Sequence, residues 1–338
     1  MNHNTDVIII GAGPVGLFAI FELGLLNLQC HLIDNLDKVG GQCSELYPEK
    51  PIYDIPSRVK ISGQELTDEL MKQVKVFNPV FHLNQQAEKI EKSSDHLWNI
   101  TTSAGNIISA KCIVVAAGSG SFVPRKPPIE NIDNYEGKSV FYSISNKNIF
   151  KGKKILIAGG GDSALDWTNE LSSIAEVTLL HRRREFRAAP ESVSKMLKLE
   201  KEDKIKFVIG HLHSIKGENG QLTEVQYQYE EKTRSLGIDY LLPFYGLKME
   251  LGPIANWGVN LHENQIAVDT EKFETSEPTI FAIGDINSYP GKLKLILSGF
   301  HEAALMAQKC AGYCYPDKKI VFRYTTSSKE IHKKLGVK

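Results

Sequence analysis

The 338-residue sequence predicts an α/β protein with two domains, each organised around a parallel sheet. The main observation is a pattern that occurs twice: an apolar strand, a glycine-rich turn and an apolar helix begin near residue 7 and again near residue 155. A chain of this length more often forms two domains than one, and with 42% hydrophobic residues it can bury a substantial core.

Composition excludes several classes of protein. The chain has 40 basic and 40 acidic side chains, so neither a nucleic-acid-binding surface nor a polybasic membrane anchor is indicated. No apolar run is long enough to cross a membrane, and the first residues lack a signal-peptide pattern. The five cysteines are scattered without a C-x-x-C pair, which disfavours a disulfide framework or a metal site. We expect a cytoplasmic protein with reduced thiols.

The first copy of the pattern is DVIIIGAGPVGLFAIFELGLLNLQCHLID. It predicts a buried strand at residues 7–10, a helix at 17–25 and a second strand at 29–33. The turn has the spacing G-x-G-x-x-G, in which the glycines permit a sharp turn, close approach of a pyrophosphate and close packing of the helix. Its residues are Gly11, Gly13, Pro14 and Gly16. Asp34 ends the second strand, where a carboxylate can bind an adenosine ribose, so this copy predicts a dinucleotide site.

The second copy, KKILIAGGGDSALDWTNELSSIAEVTLLHRRREFR, has a strand at residues 155–158 and Gly159, Gly161 and Ala164 at the turn positions. Where the first copy has its acid, this copy has a histidine and arginines. Guanidinium groups can bind a 2′-phosphate that a carboxylate would repel, so this copy predicts an NADPH site. The residues expected to bind NADPH are Gly159, Gly161, Asp162, Ser163, His181, Arg182, Arg183 and Arg187.

Two sites of different ribose chemistry suggest FAD in the first and NADPH in the second. Three further segments support a flavin. GGQCSELYPEKPIYDIP at 40–56 supplies Gln42, Tyr47 and Tyr53 to meet a flat ring. CIVVAAGSGSFVPRKP at 112–127 is a strand followed by glycines and prolines, as expected where the chain leaves a domain. TIFAIGDI at 279–286 ends in Asp285, whose carboxylate could hold the ribityl hydroxyls of FAD.

A helix is also expected to begin near the flavin, within KLKLILSGFHEAALMAQ at 292–308. Its N-terminal dipole could stabilise negative charge on the reduced ring, with the backbone at 294–296, including Ile296, as the contact. The alternative is an ordinary amphipathic packing helix. Under either interpretation its buried face would include Leu295, Leu297, Phe300, Ala304 and Leu305.

The segments GAGPVG, GGQ, VVAAG, GGGDSALD, HRRREFRA and FAIGDI occur in the order found in the two-domain flavoprotein reductases of the thioredoxin-reductase type, which this chain resembles. The resemblance implies two Rossmann-like three-layer domains. An FAD domain at 1–117 and 246–338 would contain an inserted NADPH domain at 118–245, with hinges near 118–124 and 242–246.

The chain lacks the dithiol of the disulfide reductases. Its expected NADPH domain contains no cysteine, and Pro48 stands where a C-x4-C partner of Cys43 would be. With the segment LYPEKPIYDIP and a long tail, it resembles the ferredoxin-NADP reductases of the thioredoxin-reductase type. That resemblance implies that Tyr47 stacks on the flavin and that Tyr324 of a homodimer partner covers its other face. Further FAD contacts implied are Gly41, Ala87, Phe122 and Thr326.

The implied reaction is hydride exchange between NADPH and FAD, followed by single-electron transfer with ferredoxin or flavodoxin. The cofactors carry this chemistry, so no catalytic side chain is required. The sequence leaves open a thiol or disulfide reductase, a general NADPH diaphorase and a non-catalytic FAD-binding redox sensor. A basic docking surface for an acidic partner could be formed by residues near the C-terminal segments: Lys292, Lys294, Lys318, Lys319, Arg323 and Lys329.

Overall fold

The computed structural model describes residues 2–93, 97–118, 120–144, 146–318, 320 and 324–336, with only the backbone of residues 121–123, 247–249 and 330. The chain forms two compact units. The first unit contains Met1–Ser121 and Met249–Lys338, and the inserted unit contains Phe122–Lys248. The chain passes between them through two paired strands, Ser121–Pro124 and Leu247–Glu250. The boundaries at 121 and 248 lie slightly beyond the expected 117 and 245.

The first unit is built on a five-stranded parallel sheet. Its strands, in spatial order, are Ile280–Ala282, Cys112–Val115, Val7–Ile10, Cys30–Ile33 and Val80–His82. All four residues of Val7–Ile10 are buried because the sheet is covered on both faces. Val7 and Ile9 pack with the helices, whereas Ile8 and Ile10 pack with a second sheet. The continuous apolar run therefore reflects a three-layer arrangement.

The helices that cover the sheet are Pro14–Leu25, Gly63–Val74 and Ile296–Cys314, and the last is called the long helix below. The second sheet contains Asn2–Asn4, Ile107–Ala110, Trp98–Thr102 and Ala87–Lys92, in that order. The shorter helices and 3₁₀ turns are Gln42–Glu45, Lys75–Phe77, Gly252–Asn256, Gly284–Ile286, Thr325–Ser327 and Lys329–Lys334. Short strands occur at Pro51–Ile52, Ile61–Ser62, Leu261–His262, Gln265–Ala267 and Asn287–Ser288.

The inserted unit repeats these layers on a smaller scale. Its parallel sheet has the order Ile205–Ile209, Glu176–His181, Lys154–Ala158 and Tyr240–Pro243. Its helices are Asp162–Leu171 and Pro190–Lys201, and its 3₁₀ turns are Ile132–Tyr135 and Lys147–Phe150. Its antiparallel sheet contains the strands His211–Glu218, Gln221–Tyr229 and Lys232–Gly237. Ile155 and Ile157 pack with the helices, and Leu156 and Ala158 with the antiparallel sheet. The expected α/β class with two three-layer domains is confirmed.

The long helix buries only part of the face expected from its sequence. Phe300 and Leu305 are half-buried against the core of the first unit, and Ala304 is half-buried. Leu295 and Leu297 are 38% and 44% exposed, so their expected burial was wrong. The buried residues are mostly small: Gly299, Glu302, Ala303, Met306, Ala307, Cys310, Ala311 and Cys314. A Cβ at Gly299 would overlap the side chain of Val15, so small residues let the long helix approach the Pro14–Leu25 helix closely. No helix in the described part of the chain is long and apolar enough to cross a membrane.

Three histidines meet in the first unit. His31 Nδ1 lies 3.0 Å from His82 Nε2, and the His3 ring centroid lies 5.0 Å from that of His82. Burial, followed by repulsion from His82 and His3, lowers the pKa of His31 to about 4. Burial also lowers the pKa of His82. The folded protein therefore takes up these protons at lower pH than the unfolded chain does.

We expect this cluster to make the first unit less stable in mild acid. Because the pKa of His31 is lower in the folded protein than in the unfolded chain, the free energy of unfolding is highest above about pH 6.5. It falls as the pH decreases from there towards about 4, since only the unfolded chain takes up the proton in this range. Between pH 7.5 and 5 the free energy of unfolding should fall by about 1–2 kcal/mol, allowing for solvent screening of the part-buried rings. Urea unfolding followed by circular dichroism measures this loss.

The control compares two substitutions. His31→Gln should flatten the acid limb of the stability profile, whereas His262→Gln, at an exposed histidine, should leave it unchanged. Equal acid sensitivity of the His31 variant and the unsubstituted protein would contradict the assignment.

Candidate functional site

The first glycine turn is shaped by close backbone contacts. Gly11 has φ +109°, and a Cβ there would overlap the Ala116 carbonyl oxygen. A Cβ at Gly16 would overlap the carbonyl oxygen of Gly11. By contrast, a Cβ at Gly13 would meet no atom within 4 Å, and no side-chain hydrogen bond caps the helix that Pro14 begins. The turn thus presents uncapped N–H groups to open space, which suits a pyrophosphate.

Asp34 lies where the sequence places it, at the end of the second strand. Its Oδ2 accepts a hydrogen bond of 2.6 Å from the Ala12 N–H, and its Oδ1 accepts one of 2.9 Å from Leu36 N–H. Burial raises the pKa of this carboxyl, and the backbone hydrogen bonds oppose the increase. A carboxylate has about four acceptor positions, so Asp34 can hold the turn and still accept ribose hydroxyls.

The GGQ segment packs directly on the first turn. Gly40 N–H donates to the Ala12 carbonyl over 2.8 Å. Gly41 has φ +53°, and its Cβ would lie 3.1 Å from Gly13 Cα. A Cβ at Gly118 would lie 3.8 Å from Gln42 Nε2, so the segment that follows the Cys112–Val115 strand joins the same site. Residues distant in the sequence therefore converge around the uncapped helix.

Cys43 and Tyr47 follow the GGQ segment, whose glycines pack on the first turn. Cys43 is 1% exposed, and its Sγ lies 3.9 Å from the Tyr47 hydroxyl. Burial raises the pKa of Cys43 to about 11 and also raises that of Tyr47. The negative charge of Asp285 contributes to both increases. Cys43 is therefore a protonated thiol at neutral pH, unlike an activated redox cysteine.

Asp285 follows the Ile280–Ala282 strand at the carboxyl edge of the parallel sheet. The preceding Gly284 has φ +77°, and its Cβ would contact Val15 at 3.4 Å. Val15 also contacts Gly299, so the first turn, Asp285 and the beginning of the long helix are neighbours. No side-chain hydrogen bond caps the long helix at Ile296. Burial raises the pKa of Asp285.

The remaining residues expected to bind FAD are less informative. Ala87 is 5% exposed at the start of its strand. Tyr324 is 71% exposed, and Thr326 lies in the Thr325–Ser327 turn on the surface. The side chain of Phe122 lies outside the described residues.

The second turn closes in a similar way. Gly159 has φ +157°, and its Cβ would lie 2.5 Å from the Phe244 carbonyl oxygen. No side-chain hydrogen bond caps the Asp162–Leu171 helix after Gly161. Gly160 was not identified from the sequence as a residue of this site. A Cβ at Gly160 would overlap the imidazole of His181. Gly160 is the central residue of the GGG run, and that run was the available signal.

The segment from His181 to Arg187 folds back onto the second turn. Arg187 N–H donates to the Gly160 carbonyl over 2.8 Å. The His181 ring stacks on Phe186 with centroids 5.4 Å apart, and burial lowers the His181 pKa. Asp162 Oδ1 accepts a hydrogen bond of 2.8 Å from Ala189 N–H, and Ser163 is exposed. The expected NADPH contacts are thus gathered at one edge of the inserted sheet.

The arginines divide into two groups. Arg184 has a structural role, because it pairs with Glu200 at 2.9 Å and lies over the Phe207 ring at 5.3 Å. Arg183 has a long contact of 3.8 Å with Glu185 and forms no other ion pair with the described residues. Arg182 and Arg187 are exposed and form no ion pair with any residue that the structure describes. These guanidinium groups are available to an anion.

The expected basic docking surface requires a correction. Lys292 is 7% exposed and forms an ion pair with the buried Glu302, so it is not available to a partner. Lys294 and Lys329 are exposed, and Lys318 lies over the Tyr315 ring at 4.3 Å. Lys319 and Arg323 lie outside the described residues.

The other four cysteines lie at the ends of their strands or helix that are distant from the first glycine turn. Cys30 and Cys112 begin their strands, whereas the first turn lies at the carboxyl edge of the same sheet. Cys310 and Cys314 lie at the far end of the long helix, about 21 Å and about 27 Å from its start at 1.5 Å per residue. All five cysteines are buried and free. No group of three or more potential ligands among the described residues has metal-binding geometry.

The chain matches the pyridine nucleotide-disulphide oxidoreductase family over residues 5–307. Curated relatives named ferredoxin–NADP reductase, from Parvibaculum lavamentivorans and Nitrobacter winogradskyi, are 59% and 58% identical, each over 98% of both chains. Thioredoxin reductase from Lactococcus lactis has the same fold, with a TM-score of 0.78 and 24% identity over 92% of this chain and 99% of its own. This protein therefore belongs to the pyridine nucleotide-disulphide oxidoreductase family.

Proposed function

We propose that this protein is an FAD-dependent ferredoxin–NADP reductase, as its curated relatives are named. The environment of Cys43 is the observation that favours an iron–sulfur protein over a disulfide as the electron acceptor. Cys43 is the one cysteine at the first site, it is buried, and burial raises its pKa to about 11. A disulfide reductase needs a reactive cysteine pair beside the flavin, whereas electron transfer to an iron–sulfur protein needs none.

The first unit is proposed to hold FAD. The uncapped helix at Gly13 and Pro14 would bind the pyrophosphate, and Asp34 the adenosine ribose. The other proposed contacts are Gly11, Gly16, Gly41, Gln42, Tyr47, Ala87, Phe122, Asp285, Ile296, Tyr324 and Thr326. The open space at Gly13 and the carboxylate at the strand end support this assignment.

The inserted unit is proposed to hold NADP(H). Its phosphates would meet the helix that begins after Gly161, with Asp162 and Ser163 in the first turn. Arg182, Arg183 and Arg187 would bind the 2′-phosphate through charge-assisted hydrogen bonds. Gly159 and His181 shape the turn on which this segment lies.

When bound, FAD accepts a hydride from NADPH and exchanges single electrons with ferredoxin. The chain supplies placement and electrostatics. The start of the long helix at Ile296 would stabilise negative charge through its uncapped N–H groups. The Tyr47 hydroxyl remains protonated because burial raises its pKa, so its ring would present a neutral surface to the flavin.

The protein is further proposed to act as a cytoplasmic homodimer, with ferredoxin or flavodoxin as partner. The exposure of Tyr324, at 71%, suits a ring that covers the flavin of the partner subunit. Lys294 and Lys329 are exposed and remain candidates for docking an acidic protein.

Stopped-flow spectroscopy tests the function. The FAD-loaded protein should be reduced quickly by NADPH, and then reoxidised by oxidised ferredoxin but not by oxidised thioredoxin. Cys43→Ser should keep ferredoxin reduction within about threefold, because a buried neutral thiol contributes no chemistry. Reoxidation by thioredoxin that is lost in Cys43→Ser would instead indicate a disulfide reductase. Rapid reoxidation by quinones alone would indicate a diaphorase, and slow bleaching by NADPH a redox sensor.

We expect the double substitution Arg182→Ala and Arg183→Ala to impair NADPH use selectively. Loss of two charge-assisted hydrogen bonds should raise the KM for NADPH by about 10- to 100-fold. The KM for NADH, which has no 2′-phosphate, should change by less than about threefold. Steady-state kinetics with both nucleotides gives the comparison.

Arg184→Ala is the matched control, because Arg184 pairs with Glu200 instead of facing open space. It should lower stability slightly and leave the ratio of the two KM values unchanged. If the double variant weakened the binding of NADPH and NADH equally, as a merely structural change would, the phosphate-binding role would be incorrect.

We expect Tyr324→Ser to change the visible spectrum and fluorescence of the bound flavin, because a stacked ring would be removed. Tyr324→Phe keeps the ring and should retain the original spectrum. Identical spectra for both variants would contradict the covering role of Tyr324. Mixing the serine variant with the unsubstituted protein tests whether the ring comes from the partner subunit.

A further inference from the structure

Glu302 lies on the long helix, and its side chain is 0% exposed. A buried carboxylate requires hydrogen bonds or an ion pair to offset its desolvation. Its Oε2 accepts from Gly284 N–H at 2.7 Å and Asn287 Nδ2 at 2.9 Å, and its Oε1 accepts from the Tyr289 hydroxyl at 2.9 Å and from Lys292 Nζ. One side chain therefore receives four donors.

All four donors belong to a single segment, residues 284–292. This segment follows the Ile280–Ala282 strand and contains Asp285. Glu302 binds the amide of Gly284, the residue immediately before Asp285. It thus ties the segment that carries Asp285 to the helix that begins at Ile296, and both are proposed flavin contacts.

Glu302 also affects the charge near Asp285. Its partner Lys292 is 7% exposed, so the ion pair is shielded from water. After burial, the charges that influence the Asp285 pKa are those of Lys292 and Lys294, which lower it, and that of Glu302, which raises it. Removal of the Glu302 charge would leave Lys292 without its buried partner.

We propose that Glu302 is a positioning residue for the flavin. Through Gly284 N–H it fixes the backbone that presents Asp285, and through Lys292 it balances the charge beside Asp285. The inference rests on the proposed FAD site in the first unit. Glu302 acts through these neighbours and is not a catalytic residue.

The test compares Glu302→Gln with Glu274→Gln in the full-length, FAD-loaded protein. Glu274 is a suitable control because it is also a buried carboxylate of the first unit, 7% exposed, and it accepts from Thr279 N–H at 2.9 Å. No described hydrogen bond joins it to residues 284–292. FAD release on dilution, followed by flavin fluorescence, gives the dissociation constant. Glu302→Gln should weaken FAD binding by about 10- to 100-fold, and Glu274→Gln by less than about threefold.

The flavin midpoint potential provides a readout that lost packing alone would not produce. Glu302→Gln leaves the positive charge of Lys292 unpaired. Because a nearby positive charge favours the reduced flavin, the midpoint potential should become more positive. The double variant Glu302→Gln with Lys292→Met restores the local charge balance and should return the potential towards that of the unsubstituted protein. Because it contains no unpaired buried charge, the double variant also serves if Glu302→Gln does not fold. It should still bind FAD at least about threefold more weakly than Glu274→Gln, since the bond to Gly284 is no longer charge-assisted.

Retention of FAD by the Glu302 variants as tight as that of Glu274→Gln would overturn the inference. So would an unchanged midpoint potential in Glu302→Gln. An unsubstituted protein that holds FAD but cannot reduce ferredoxin would contradict the proposed function and leave the role of Glu302 intact.

Discussion

The first unit depends on contact between stretches of backbone at its glycine turn. A side chain at Gly11 or Gly16 would occupy the space of main-chain carbonyl groups, so the strand, its neighbour and the helix are as close as their backbones allow. The hydrogen bond from Ala12 to Asp34 fixes the second strand to the same point. Gly41 packs against Gly13 of this turn, and Gly284 packs against Val15. A wider turn would separate the Pro14–Leu25 helix from Asp285.

The two units use this turn with opposite charges. Both helices begin without a side-chain cap after a glycine, and both sheets are covered by helices on one face and strands on the other. The difference lies at the end of the second strand, where one unit has Asp34 and the other has His181 followed by arginines. A carboxylate suits ribose hydroxyls and guanidinium suits phosphate, so under the proposed assignment this local change of sequence would direct different nucleotides to the two units.

Features encoded by local spacing could be predicted from the sequence. Gly11, Gly16 and Gly159 occur at fixed positions relative to apolar strands, and the structure gives each a steric reason. Contacts between distant residues could not be predicted. Glu302 sits on a helix whose expected buried face did not include it, and its burial depends on donors from residues 284–292. Likewise, nothing local to Lys292 distinguishes it from a surface lysine.

The buried thiols at the far end of the long helix have a practical consequence. Cys112, Cys310 and Cys314 come from a central strand and from the helix that covers it, and their exposures are 0%, 0% and 2%. A thiol reagent can reach them only when the helix separates from the sheet, and burial keeps Cys310 protonated in the closed state. Their alkylation rate therefore measures how often the core opens. The sequence thus contains an internal probe of breathing motions that requires no introduced label.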